Sequence, residues 1–347
     1  MSSLVTTLTE TLRYRGAIGQ WSWVLHRITG LGVVLFLTLH VVDTSWAVFY
    51  PSLYEKAIAV YQSPLFTLGE FGLVACVIYH AYNGLRIGIF DYNPRWWQYQ
   101  QRAAWVVLGA TLLTLIPTFV LMFSHVLEHY GEENVFILPL GEVLSEQLPF
   151  AVGITVAAVA SVLLSGFAGL ITRNRDQITV GRPSRLERFW WSYMRVSGLL
   201  IVPLVFGHLA MAHVIQGVFD ITAQGYSVVG TDAINQTGTA VEYVGERWLL
   251  LVWRVYDIAL LLLVTVHGFN GLRYVLTDYL AFSPLLRRAG SYLCVIGATV
   301  LLVTGTGALL GTIDEDAVQL AAEAQCRLRD IEPENCEIAT IDFQLGE

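Results

Sequence analysis

HAYNGLRIGIFDY at residues 80–92 and HGFNGLRYVLTDY at residues 267–279 are two versions of one segment. They share a histidine, the run Asn-Gly-Leu-Arg and a closing Asp-Tyr, without a gap between the matched positions. A second block is also repeated, because WVLHRITGLGVVLFLTLH at 23–40 aligns with WSYMRVSGLLIVPLVFGH at 191–208. We therefore expect an internal duplication, with equivalent histidines on equivalent helices.

Long apolar runs contain these blocks. The 347 residues are 55% hydrophobic and 14% charged, whereas soluble domains carry about a quarter charged residues. A bilayer is crossed by about 20 apolar residues, and seven runs are long enough: 23–49, 66–90, 103–127, 149–172, 190–218, 248–276 and 289–313. The sequence predicts an all-α integral membrane protein with seven transmembrane helices, and nothing in it points to nucleic acid.

The duplication predicts two parallel three-helix repeats joined by a linker helix. Two three-helix units joined directly would face opposite ways, so the run at 149–172 is expected to carry the chain back across the membrane. The predicted divisions are a first unit at 1–130, an external loop, linker helix and cytoplasmic loop at 131–185, a second unit at 186–313, and an external acidic tail at 314–347.

Charge predicts the orientation. Arginines are concentrated in segments 1–20, 91–102, 173–189 and 278–288, and the alternate segments hold most of the acids. Since basic loops stay in the cytoplasm, we expect a cytoplasmic N-terminus and an external C-terminus.

Four cysteines form no C-x-x-C-H motif, so covalent haem is not indicated. Cys76 and Cys294 lie in apolar runs and are interpreted as small apolar fillers. Cys326 and Cys336 lie in the external tail, where a disulfide is permitted; the bonded and free states both stay open.

Four histidines lie inside the apolar runs as two repeat-related pairs, His40 with His208 and His80 with His267. An ionisable residue in a membrane is a functional candidate by default, although a single histidine is more often a hydrogen-bonding residue between helices. Zinc would want a third and usually a fourth ligand, and none lies at the same depth. Haem b needs one imidazole on each face, so the pairs predict two haem b groups.

The surroundings of these histidines agree with this hypothesis. His80 and His267 are each followed one turn later by a glycine that would leave room for a flat ring. An arginine comes next, which could pair with haem propionates or reach the lipid headgroups. These residues are Gly84, Gly271, Arg86 and Arg273.

Depth separates the two predicted haems. His80 lies six residues from Arg86, roughly 9 Å along a helix, whereas His40 lies thirteen residues beyond Arg27, roughly 20 Å at the same rise. One haem is therefore expected near the cytoplasm and the other nearer the outside. The remaining histidines, His125, His129 and His213, are interpreted as interfacial.

A second polar cluster is predicted on the cytoplasmic side. Ser22, His26 and Arg27 begin the first helix, and Asp278 and Tyr279 end the sixth. Such residues could bind quinone carbonyls and relay protons. An ordinary Arg–Asp pair that closes the helix bundle would use the same residues.

These motifs resemble the cytochrome b membrane anchors of succinate dehydrogenase and fumarate reductase (succinate:quinone oxidoreductase, complex II). H-R-I-T-G at 26–30 resembles the start of the larger anchor subunit, and H-x-x-x-G-[LI]-R followed by Asp-Tyr at 267–279 is similar to the smaller one. The resemblance covers about six of the seven helices and implies that two anchor subunits are fused in one chain.

The resemblance implies a role for each matched residue. His80 and His267 would bind the haem proximal to an iron–sulfur subunit, and His40 and His208 the distal haem. Arg27, Tyr279 and Asp278 would line the quinone site, with His26 beside the propionates or the quinone.

The resemblance also implies cofactors, partners and location. The chain would be the membrane subunit of the enzyme in the bacterial plasma (inner) membrane, among lipids, and would carry the quinone site for menaquinone or ubiquinone. FAD and iron–sulfur clusters would belong to a flavoprotein and an iron–sulfur subunit that dock on the cytoplasmic face. A higher oligomer of the complex is compatible with it.

The sequence departs from the family pattern in two places. The family often has a serine where this chain has Trp23, and Ser22 precedes it; the second half has Met194 where the first has His26. Both departures concern the quinone contacts. Because the halves are similar, an alternative pocket could form from Arg195, Asp91 and Tyr92.

Two other functions fit parts of the sequence. A stand-alone dihaem cytochrome b would use the same histidine pairs, but would leave H-R-I-T-G and the duplicated Asp-Tyr unexplained. A transporter built from repeats would require broken helices with a polar site at mid-membrane, and only Pro117 and Pro203 could break helices there.

Overall fold

The computed structural model describes residues 16–61, 64–130, 148–171, 184–211 and 251–328, together with 141, 240–241 and 244–245. These residues form helices and no strand. In chain order the helices are α1 (Ile18–Phe49), α2 (Pro51–Tyr61), α3 (Pro64–Tyr92), a 3₁₀ helix (Pro94–Tyr99), α4 (Gln100–Tyr130), α5 (Leu148–Ile171), α6 (Arg185–Leu209), α7 (Leu251–Tyr279), α8 (Pro284–Leu310) and α9 (Glu315–Leu328).

Seven of these helices are long and apolar enough to cross a membrane, which confirms the predicted number. They correspond one to one with the seven apolar runs. The end of the run at 190–218 lies outside the described residues. Pro117 and Pro203 lie inside continuous helices, so neither breaks its helix as the transporter hypothesis would require.

Two helices begin several residues before their apolar runs because serines cap them. The Ser184 side chain accepts a hydrogen bond from the backbone N–H of Glu187 at the start of α6. Ser283 does the same for Leu286 at the start of α8, where Pro284 occupies the first turn. A serine cap supplies an acceptor for an N–H that has no partner within the helix, and proline is favoured at the first helical position.

The centre of the fold is a ring of four helices, in which α1 packs on α3, α3 on α6, α6 on α7, and α7 on α1. Each helix of the ring carries one of the four paired histidines. The helices α4 and α8 lie outside the ring, where α4 packs on α3 and α1, and α8 packs on α7 and α1. The fourth predicted span, α5, packs against α8.

Close approach of α8 to α7 depends on glycines. A Cβ atom built on Gly297 would lie 2.5 Å from the Phe269 ring, and one built on Gly305 would lie 2.7 Å from Leu261. Small residues let membrane helices approach closely enough for van der Waals contact along their length. Cys294 is a buried free thiol in this interface, beside Phe269 and Leu301, in agreement with its interpretation as a filler.

At the end of the bundle beyond His40, the short helices α2 and α9 pack together. Their buried cluster includes Tyr54, Val241 and Ala321, and the Glu55 carboxylate accepts a hydrogen bond from the backbone N–H of Val241 at 2.9 Å. Neither helix was expected from the sequence, where these stretches were interpreted only as external segments. Cys326 is disulfide-bonded; Cys336 lies outside the described residues.

Replacing Gly297 with valine should destabilise the fold, because the added side chain collides with the Phe269 ring. Overpacking typically costs about 1–3 kcal/mol. We expect a lower apparent melting temperature in detergent. Gly153→Val is the matched control, because no heavy atom lies within 4 Å of a Cβ built on Gly153; equal losses in the two variants would contradict the packing interpretation.

Candidate functional site

The structure fixes the orientation of the His80 ring on α3. Its Nδ1 lies 3.1 Å from the backbone oxygen of His26 on α1. A carbonyl oxygen only accepts hydrogen bonds, so Nδ1 must carry the proton, and the lone pair is then on Nε2. Gly30 lies against the ring, where a Cβ would come within 2.9 Å of Cε1.

His267 on α7 is held in the same way by a different partner. Its Nδ1 lies 2.9 Å from the Ser197 hydroxyl on α6, and that hydroxyl also lies 2.6 Å from the backbone oxygen of Tyr193. A hydroxyl has one hydrogen, which it donates to the carbonyl, so it accepts from Nδ1 of His267. The lone pair is again on Nε2. A Cβ on Gly198 would lie 3.3 Å from this ring, as Gly30 lies against His80.

The rings of His80 and His26 are in direct contact between α3 and α1. The His26 ring stacks on His80, with centroids 3.9 Å apart and planes at 10°. A Cβ on Gly84 would lie 3.5 Å from His26, and one on Gly271 would lie 3.5 Å from Met194. His26 beside Gly84 and Met194 beside Gly271 are equivalent residues, so the space next to each glycine is occupied in the same way in both halves.

Three buried side-chain nitrogen atoms on helices that carry the paired histidines have no hydrogen-bond partner among the described residues. They are Nδ1 of His26, Nε of Arg86 and Nδ2 of Asn270. Buried polar atoms are nearly always satisfied, so each of these three atoms has capacity to bind a polar group that the polypeptide does not supply. Two potential donors and an imidazole suit an anionic substituent such as a propionate.

The two arginines that were expected to bind propionates have different environments. Arg86 is buried and donates to the backbone oxygen of Gln100 at 3.4 Å. Arg273 instead forms an ion pair with Glu187 at 3.0 Å and donates to Asn270. Arg86 is therefore the better placed of the two to bind an added anion.

The second histidine pair joins α1 and α6. The His40 and His208 ring centroids are 6.1 Å apart, with planes at 85°. Metal–imidazole bonds are about 2 Å long, so two imidazoles on opposite sides of one metal ion have centroids roughly 6 Å apart. Nδ1 of His208 lies 3.1 Å from Oδ1 of Asp257 on α7. The spacing and the hydrogen bond both fit ligation of one iron.

Two ion pairs connect the halves of the chain crosswise. Arg27 on α1 pairs with Asp278 on α7, and its repeat equivalent Arg195 on α6 pairs with Asp91 on α3, with 2.6 Å between Nε and Oδ2. Each arginine also lies over a tryptophan ring. The Arg27 guanidinium is 4.3 Å from the centre of the Trp23 ring. The expected cluster of arginine, aspartate and tyrosine is therefore brought together.

The two crossed sites differ in their tyrosines and in their access to water. Tyr279 lies 5.8 Å from the Arg27 guanidinium, whereas Tyr92 is 91% exposed. The Asp278 side chain is 59% exposed and that of Asp91 only 17%. The Arg27 site is the more complete and the more open of the two.

Ser22 lies apart from the Arg27 cluster. Its hydroxyl is buried, donates to Asn83 at 2.8 Å and lies 3.0 Å from the Tyr79 hydroxyl. These bonds join α1 to α3. The assignment of Ser22 to a cofactor or quinone therefore stays a prediction.

The three histidines that were interpreted as interfacial cannot be compared with the structure. His213 and the side chains of His125 and His129 lie outside the described part of the chain. Within that part, no group of three or more His, Cys, Asp or Glu side chains could hold a metal ion.

Sequence reasoning missed several residues that orient the histidines. Gly30, Gly198 and Ser197 stand in the repeat without a predicted role. The expectation that no further ligand type lies at the depth of the histidines is wrong for Asp257, whose carboxylate contacts His208. The sequence does contain a signal for Asp257, because both halves carry a carboxylate ten residues before the histidine: Asp257 before His267 and Glu70 before His80. Carboxylates inside membrane helices are rare enough to be functional candidates.

Comparison with known proteins identifies the family. Residues 7–121 and 170–306 match the family described as "Succinate dehydrogenase/Fumarate reductase transmembrane subunit". The chain belongs to this family. The two matched segments correspond to the two predicted three-helix units, in keeping with a fusion of two anchor subunits, and the unmatched residues between them contain all but the last two residues of α5.

Individual relatives agree with this assignment. The chain is 36% identical over 135 residues to "Succinate dehydrogenase 2 membrane subunit SdhC" of Mycobacterium tuberculosis, which covers 38% of this chain and 99% of the relative. It is 28% identical over 104 residues to "Succinate dehydrogenase hydrophobic membrane anchor subunit" of Halobacterium salinarum, covering 29% of this chain and 80% of the relative. No solved structure matches significantly.

Replacing Gly30 with alanine should displace the His80 ring, since the new Cβ would lie 2.9 Å from Cε1. In a chain that holds haem b on His80, as proposed below, the haem absorbance per mole of the purified complex should then fall. Gly72→Ala on α3 is the control, because a Cβ there has no heavy atom within 4 Å. Unchanged absorbance in Gly30→Ala would show that this contact does not position the ring.

Proposed function

We propose that the chain is the dihaem cytochrome b anchor of succinate:quinone oxidoreductase, which passes electrons between a docked iron–sulfur subunit and membrane quinone. The observation that carries this proposal is the placement of four histidines, one on each of four neighbouring helices, in two pairs that each join the two halves. Membership of the family supports the same function.

The proposed ligand sets are His80 with His267 for the proximal haem and His40 with His208 for the distal haem. A bis-imidazole haem b takes up and releases single electrons, at a potential that its ligands set. Metal-binding histidines usually donate their other ring nitrogen to a neighbouring acceptor, which fixes the ring and its tautomer. Such partners are observed for His80, His267 and His208.

Residues around the proximal pair would hold the rest of that haem. Arg86 and His26 each have a buried nitrogen with no partner among the residues that the structure describes, and both could bind a propionate. Gly30 and Gly198 let the ligand rings lie against the helices. Arg273, which is paired with Glu187, would act mainly to join α7 to α6.

The proposed quinone site consists of Arg27, Tyr279 and Asp278. The guanidinium and the phenol can donate hydrogen bonds to quinone oxygens, and the exposed Asp278 carboxylate can pass protons from the cytoplasmic water. The alternative site at Arg195 and Asp91 is less suitable, because Asp91 is largely buried and Tyr92 is exposed.

The partners and the orientation follow from the same proposal. The arginine-rich ends of the helices would face the cytoplasm, with the N-terminus inside and the C-terminus outside. A flavoprotein and an iron–sulfur subunit would dock there, so the dicarboxylate chemistry would take place outside this chain. We also propose that the two three-helix units are parallel repeats, which the crossed Arg–Asp pairs support.

Replacement of single histidines should remove the haems selectively. We expect His80→Ala and His267→Ala to abolish one spectral component of the reduced α band, and His40→Ala and His208→Ala to abolish the other. The measurement is low-temperature absorbance of the purified complex. Loss of the same component in all four variants would contradict the pairing. Retention of both components in any single variant would exclude that histidine as a ligand.

Arg27→Leu should raise the quinone KM with little change in haem content, because a hydrogen bond from a charged donor is lost. Such bonds contribute about 1.5–3 kcal/mol, so we expect roughly a tenfold or larger rise. Arg195→Leu is the matched variant, since it also breaks a crossed Arg–Asp pair. If Arg195→Leu raised the KM and Arg27→Leu did not, the quinone site would belong to Arg195.

A further inference from the structure

We infer that Asp257 is a positioning residue that holds His208 through Nδ1 and lowers the reduction potential of the haem that His208 ligates. The inference rests on the proposed function, because it concerns a group bound by His208. It assigns to an intramembrane carboxylate a role that the ligand pairs alone do not explain.

The contact joins two helices, and its carboxylate is buried. Oδ1 of Asp257 on α7 lies 3.1 Å from Nδ1 of His208 on α6, and Asp257 is 8% exposed. A carboxylate inside a membrane is energetically costly, so such carboxylates are found paired with another polar group. A hydrogen bond to a charged acceptor is stronger than one between neutral groups, and low dielectric strengthens it further.

The position of Asp257 in the sequence places it at the distal pair rather than at the proximal pair. It lies ten residues before His267 on the same helix, which is about 15 Å at the helical rise. One helix thus supplies a proposed ligand to the proximal haem and a hydrogen-bond acceptor to a ligand of the distal haem. The acceptor reaches across the interface between α7 and α6.

The proximal ligands have neutral partners instead. Nδ1 of His80 binds the backbone oxygen of His26, and Nδ1 of His267 binds the Ser197 hydroxyl. A carboxylate draws the Nδ1 proton more strongly than a carbonyl or hydroxyl oxygen does, so the ring becomes a more basic ligand. A more basic ligand favours oxidised over reduced iron, and the two sites are thereby made unequal.

The test is a potentiometric titration of the purified intact complex, with haem absorbance recorded across the range of applied potentials. We expect Asp257→Asn to favour reduction of the distal haem by about tenfold, which is about 59 mV for one electron. The proximal component should stay in place. Low-spin electron paramagnetic resonance signals of the distal haem should shift as well, because the ligand field of His208 changes.

Two further variants keep the test decisive. Asp257→Glu keeps a carboxylate, so its potential should be close to the original value. If Asp257→Asn loses the distal haem altogether, retention of that haem in Asp257→Glu supports the positioning role. Loss of the distal haem in both variants overturns it. Glu70→Gln removes the carboxylate at the equivalent position on α3 without altering the bond to His208, so it should shift the distal component less than Asp257→Asn does.

The outcomes separate this inference from the proposed function. An unmodified complex without two haem components would remove the proposed function and the inference together. Two components in the unmodified complex, with no shift in Asp257→Asn or with an equal shift in Glu70→Gln, would overturn the role of Asp257 alone.

Discussion

An imidazole inside a membrane has two ring nitrogens, and each of them needs a partner. This constraint organises the described structure, since backbone or side-chain acceptors from neighbouring helices hold Nδ1 of His80, His267 and His208. Each such bond fixes a ring and directs Nε2 away from its acceptor. Because the acceptor and the histidine lie on different helices, the same bonds also set how those helices are rotated against one another. We propose that iron is the partner of the other nitrogen.

Because the sequence is duplicated, each half supplies one member of every pair. The Arg–Asp pairs and the proposed histidine pairs all join one half to the other, so neither half alone would form a complete site. The symmetry is nevertheless partial. Tyr92 is exposed whereas Tyr279 lies near Arg27, and both outer helices, α4 and α8, pack on α1 of the first half. These differences give one proposed quinone site rather than two equivalent ones.

Much of the fold could be predicted from the sequence, because a bilayer imposes a length and an apolar composition on each spanning helix, and the repeat identified the paired histidines. Their hydrogen-bond partners could not be predicted in the same way. Whether Gly30 or Gly84 contacts His80 depends on the rotation of α1 against α3, and Asp257 meets His208 only because α6 and α7 are neighbours. The helices α2 and α9 were missed since their sequences are short and amphipathic or polar, without the long apolar run that marks a span.

The central claim is that the four histidines bind two haem groups in one chain. It is tested most directly by the ratio of haem to polypeptide in the intact purified complex, with haem measured as the pyridine haemochrome and protein by amino-acid analysis. The account predicts two b-type haems for each copy of this chain. A ratio of one would remove one histidine pair from the proposed mechanism, and a preparation that is active with quinone but contains no haem would contradict the account as a whole.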